Sequence, residues 1–151
     1  MKFTSSLAVL SLASLTVCRA ISSNSTALEG RDILERTGAE TVTCFNVGTK
    51  VDSAFAFASI DSFCASIKGQ FVAAGTTKSA TFTKSGTSTT IFVSGTAING
   101  CSFTVDANCN RLLRLPINNC NIAGANGKQG GFESDACGQW TADPGTNGNR
   151  F

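Results

Sequence analysis

The chain reads as an α+β protein, an antiparallel sheet with two helices packed on one face and disulfides stapling the layers. Three observations predict this. Short β-branched and aromatic runs bounded by turn residues alternate with two stretches of helical apolar spacing, in the order strand, helix, three or four strands, helix, strands. Of the 7 cysteines, Cys18 falls in an N-terminal export signal, and the rest (Cys44, Cys64, Cys101, Cys109, Cys120 and Cys137) form an even set suited to as many as three bridges. No internal repeat or second composition block interrupts residues 37–151, a length suited to one domain.

The elements follow in order. Thr41 to Phe45 is short, β-branched and aromatic, and reads as a first strand. A helix is expected from about Ser53 to Lys68, with Phe57, Ile60, Phe63, Cys64 and Ile67 on one face, Asp52 or Ser53 as its cap and Gly69 as its stop. Gln70 to Ala74 reads as a strand. Ser79 to Lys84 and Thr89 to Ser94 read as a hairpin about Ser85-Gly86-Thr87-Ser88. Asn99-Gly100 is the strongest turn signal, with a strand from Cys101 to Val105 leaving it.

Asp106 then caps a second helix that turns Cys109, Leu112 and Leu113 inward and Arg111 and Arg114 outward. Pro116 is expected to kink or end it near Leu115, because proline lacks the backbone donor and clashes one turn back. If the helix did run on to Cys120, Cys109 and Cys120 would lie about 16 Å apart on one face and could not bridge each other. The remaining connectivities stay open. Gly124 to Trp140 reads as a glycine-rich loop followed by one or two strands.

The N-terminus carries export information. Lys2, an apolar run from Leu7 to Val17 and the triplet Cys18-Arg19-Ala20 suit a signal peptide over residues 1–20, cleaved after Ala20. The run spans roughly 16 Å as a helix against a hydrocarbon core of about 30 Å, so it does not cross a bilayer. Leu15-Thr16-Val17-Cys18 fits a lipidation box poorly, with Val before the cysteine and Arg after it. Residues 21–36 are polar, carry the sequon Asn24-Ser25-Thr26 and end in Leu34-Glu35-Arg36, as a removable pro-segment or a disordered tail would.

Composition excludes several function classes. The net charge is +2 and no basic stripe is visible, so nucleic acid is not an expected partner. No later segment is long and apolar enough for membrane insertion. With His 0 and Tyr 0, the Ser-His and Cys-His nucleophile pairs and His-bearing zinc sites cannot be assembled. Paired cysteines offer no thiolate. No loop has EF-hand spacing, and no metal or other cofactor is expected. Glu133 and Asp135 alternate on a strand roughly 7 Å apart. Two acids on the wet face of a strand are ordinarily just solvated, so no catalytic residue is assigned.

One set of residues is distinctive: Cys120-Asn121, Asn126-Gly127-Lys128-Gln129-Gly130-Gly131, Ala136-Cys137-Gly138-Gln139-Trp140 and Asp143-Pro144, with the helix bearing Cys109, Leu112, Leu113 and Cys120. It resembles a family of small cysteine-rich secreted fungal glycan-binding proteins first known from an ink-cap mushroom (the "Y-three-like" domain). More distantly, it resembles the fungal killer toxins. The resemblance covers about Thr41 to Pro144 and departs at Pro116, where an unbroken helix is the pattern. It implies an α/β sandwich, secretion and lectin-like binding.

The ligand site must be argued from chemistry. Asn126, Lys128 and Gln129 offer amide and ammonium groups to sugar hydroxyls from a loop expected to be exposed, and Trp140 offers a ring face. The plainer readings stand beside these: Asn126-Gly127 as a turn, Gly130-Gly131 as a bulge or close backbone approach, Trp140 as a core anchor. The absence of Tyr and the single Trp count against a lectin. The expected function is non-enzymatic glycan binding at a cell surface, with a homodimer possible. The alternative is a killer-toxin-like effector acting on a membrane channel or host protein, with Lys50, Lys78 and Lys84 as the basic patch such a blocker needs. A carboxylate hydrolase ranks last.

Overall fold

A computed structural model describes residues 39–121 and 124–145. The signal peptide over residues 1–20 and the polar segment over residues 21–36 lie outside them. The element order is β1 (Thr41–Cys44), β2 (Val51–Asp52), α1 (Ser53–Ile67), β3 (Phe71–Val72), β4 (Thr77–Thr83), β5 (Thr90–Ala97), β6 (Phe103–Thr104), α2 (Asn108–Asn119), β7 (Asn126–Lys128), β8 (Gly131–Ser134) and β9 (Gly138–Pro144). A 5-stranded sheet in the order β1-β8-β9-β5-β4 is antiparallel throughout, and β2-β7 and β3-β6 form two small antiparallel ribbons. This is the expected α+β architecture.

The core lies between the sheet and the two helices. Ile60, Phe63 and Ile67 of α1 and Leu112, Leu113 and Ile117 of α2 meet Ile91, Val93, Trp140 and Ala142 of the central strands in one buried cluster. Burying such side chains contributes about 1.5–3 kcal/mol each and dominates the stability of a domain this small. α1 starts where the Asp52 carboxylate accepts from the Phe55 amide at 2.8 Å, relieving an orphan donor of the first turn. Asp106 does the same for α2, accepting from the Asn108 amide at 2.8 Å. The helices are tied by the Cys64–Cys109 bridge. Arg114 of α2 donates to Asp61 of α1 at 2.6 Å and lies 4.9 Å over the Phe57 ring.

Two expectations are corrected. α2 does not end near Leu115 but continues through Pro116 to Asn119. Pro116 opens the last turn, so only the bond that its missing N–H would give to Leu112 is forfeited. That turn is held twice at Cys120, whose amide donates to the Pro116 carbonyl at 3.1 Å and whose sulfur bridges to Cys44 on β1. Asn99-Gly100 does form the expected turn, with φ of 54° and 74° and the Cys101 amide closing onto Ile98 at 3.0 Å. The strand leaving it does not return along β5: it is only Phe103–Thr104, paired with β3. The third bridge, Cys101–Cys137, joins this turn to the β8–β9 connection.

Candidate functional site

Strand alternation assigns the two faces of the sheet. Ile91, Val93, Gly95 and Ala97 of β5 stand in register with Pro144, Ala142, Trp140 and Gly138 of β9, and this face packs on the helices. The opposite face carries the intervening residues, whose pairings form rows across the strands. One row is Thr43, Phe132, Thr141, Ser94 and Ser79. The next is Thr41, Ser134, Gln139, Thr96 and Thr77. A third is Asp143, Phe92 and Thr81, and Thr90 pairs Thr83 beyond it.

Eleven of these fifteen side chains are Ser or Thr and none is Lys or Arg, so the face is uncharged apart from Asp143. The edge strands leave Thr41, Thr43, Thr77, Ser79, Thr81 and Thr83 exposed, while Phe92 and Phe132 are half-buried and Ser94 and Thr141 between them are buried. A phenyl ring stands taller than a hydroxymethyl, so two apolar ridges rise from a hydroxyl floor. Thr77 and Thr96 share a hydroxyl–hydroxyl bond of 2.9 Å, and each hydroxyl keeps further acceptor capacity. Phe132 also meets Phe45, ring centroids 6.4 Å apart. The arrangement offers many weak hydrogen-bond partners and two ring faces on a rigid support.

The residues singled out from the sequence lie elsewhere. Asn126 is exposed on β7, opposite Asp52. Lys128 and Gln129 are not in an exposed loop: they are 7% and 5% exposed. Lys128 directs Nζ to the Asn121 carbonyl at 3.4 Å and Gln129 its amide to the Gly48 carbonyl at 3.4 Å. The cause is the glycine pair that follows. A Cβ on Gly130 would collide with the Ala142 carbonyl, and one on Gly131 with the Thr43 carbonyl, so β8 is drawn tightly between β1 and β9 and takes the preceding residues inward. Trp140 offers no face to a ligand, being 1% exposed with its ring 5.4 Å from Phe103.

Glu133 and Asp135 are not on a wet face either. Glu133 is fully buried on the helix side, in register with Trp140, and its charge, with that of Asp106, adds to the pull of Glu40 that holds the Arg111 pKa above its ordinary value. Asp135 closes the β8–β9 turn, accepting from the Cys137 and Gly138 amides at 2.8 and 2.6 Å. Of the three lysines considered as a basic patch, Lys84 is paired with Asp52 at 2.7 Å. Lys78 lies in register with Gly95, on the helix side of the sheet, and Lys50 is exposed.

The hydroxyl face was present in the sequence as strict alternation in Thr77-Lys78-Ser79-Ala80-Thr81-Phe82-Thr83 and in Thr90, Phe92, Ser94 and Thr96. The missing step was to ask which chemistry the polar half of that period presents. No protein-family model matches the chain, and searches of the curated proteins and of the solved structures return no match.

Proposed function

We propose that this is a secreted, non-enzymatic carbohydrate-binding protein and that the sheet face turned away from the helices is its binding surface. The observation that carries the reading is the row pattern itself: hydroxyls flanking Phe92 and Phe132 on a face with one carboxylate and no cation. Sugars present rings of hydroxyls and apolar C–H faces. They are matched by short polar side chains that both donate and accept, and by aromatic rings that take the C–H face.

Secretion is supported by the three bridges, which persist in oxidising compartments, and by the N-terminal signal. The resemblance to glycan-binding proteins points the same way. A non-enzymatic role is supported by the carboxylates. Hydrolysis of a glycosidic bond ordinarily takes two acids flanking it, whereas Asp143 is the single acid among the outward residues of these rows, Glu133 lies under α2 and Asp135 is engaged in its turn.

The test is a glycan array probed with the purified protein and with Thr43→Arg and Thr81→Arg, both at exposed positions on edge strands. The expected result is a defined set of glycan signals, each weakened by one or both arginines. An array without signal above background, or signals indifferent to both substitutions, overturns the reading.

A further inference from the structure

We infer that the ligand is an uncharged, extended β-1,4-linked glycan laid diagonally across the sheet from Phe132 to Phe92, an inference that rests on the carbohydrate-binding reading. The register supplies the distance. Phe132 of β8 is opposite Thr141 of β9, and Phe92 of β5 is opposite Asp143, two residues further along β9. The two phenyl positions are thus separated by two strand spacings of about 4.8 Å and two residues of about 3.4 Å, a diagonal of about 12 Å.

A β-1,4-linked pyranose chain is a flat ribbon that turns the same C–H face to a surface at every second ring. The span of two rings in that ribbon is close to this diagonal, within the reach of two phenyl side chains. One ring then stacks on Phe132, the next passes over Ser94 and Thr141, and the third stacks on Phe92. An α-linked chain coils and does not keep two rings in one plane over that length.

Charge selects further. Asp143 stands in the row of Phe92 with no Lys or Arg on the face to offset it, so polyuronates and sulfated chains meet like charge, while hexoses and N-acetylhexosamines do not.

The test is calorimetric titration of the protein with β-1,4 oligomers of N-acetylglucosamine and of glucose, from disaccharide to pentasaccharide, beside α-1,4-linked glucose oligomers and a uronic acid oligomer. A disaccharide reaches one ring only, so the expected gain from disaccharide to tetrasaccharide is about tenfold or more. Phe92→Ala and Phe132→Ala each remove that gain. Phe92→Leu and Phe132→Leu, which keep apolar bulk and guard against a folding defect, remove it too because the flat ring is gone.

Binding of α-linked or uronic acid oligomers that depends on the two phenylalanines, without a chain-length gain in the β-1,4 series, overturns this inference and leaves the carbohydrate reading standing. Binding of no oligosaccharide, or binding untouched by all four variants, overturns both.

Discussion

Gly95 lies directly beneath the indole of Trp140: a Cβ built on Gly95 would stand 2.6 Å from the Trp140 Cζ3 atom. The two residues are in register on β5 and β9, so the largest buried side chain of the sheet has space only because its neighbour has no side chain. Overpacking of this kind costs about 1–3 kcal/mol. Gly95→Ala is therefore expected to lower the midpoint of urea unfolding by that amount, and pairing it with Trp140→Phe to recover part of the loss. Additive losses in the double variant would show that the two residues do not compete for the same space.

Gly131 differs because its neighbour is backbone. A Cβ there meets the Thr43 carbonyl, which has no rotamer to change. Gly131→Ala is expected to detach β1 from β8 and to cost more than Gly95→Ala in the same denaturation series. Amide exchange localises the damage: protection is lost over Thr41–Cys44 and kept on β4 and β5.

Two surface carboxylates set a modest acid sensitivity. Glu40 is held below its usual pKa chiefly by its hydrogen bond to Arg111, and Asp52 chiefly by its hydrogen bond to Lys84, helped by the Phe55 amide. A carboxylate with a lowered folded pKa contributes stability that is full above the ordinary carboxylate range and is lost as pH falls through the lowered value. Both pairs are solvent-screened, so Glu40→Gln is expected to cost no more than about 1 kcal/mol at neutral pH. It should also flatten the loss of stability on acidification below the ordinary carboxylate range. An unchanged acid slope would contradict the assignment.

The bridges differ in access. Cys109 and Cys120 are 1% exposed and Cys64 6%, whereas Cys101 and Cys137 are both half-buried. Titration with a mild reductant is expected to open Cys101–Cys137 first and to leave the two bridges that reach α2 intact until the fold gives way. Mass-spectrometric mapping of alkylated thiols reads the order. Each bridge closes a long loop, and losing one is expected to cost about 2–5 kcal/mol.

Much of the fold was legible in the sequence because its signals are local. The α1 stripe, the Asp52 cap, the Asn99-Gly100 turn and the β4–β5 hairpin each follow from residues within one turn of each other. What was not legible depends on partners distant along the chain. Pro116 predicts a helix end locally, and the turn survives because Cys120 is anchored through Cys44, 76 residues away in sequence. Lys128 and Gln129 look like loop residues until Gly130 and Gly131 bring β8 against β1 and β9. Glu133 alternates like a solvated residue, and only the position of α2 shows that its face is the inner one. The hydroxyl face emerges when the register lines the alternating Ser and Thr residues of separate strands into rows.

The central claim is that the outward face of the sheet, and not the segment from Asn126 to Gln129, receives the glycan. The most direct measurement is the map of backbone amide shifts in isotope-labelled protein titrated with a neutral β-1,4 tetrasaccharide. The account predicts saturable shifts centred on Phe92, Ser94, Phe132 and Thr141, with Asn126 to Gln129 unmoved. Shifts confined to Asn126 to Gln129, or none at saturating ligand, would contradict it.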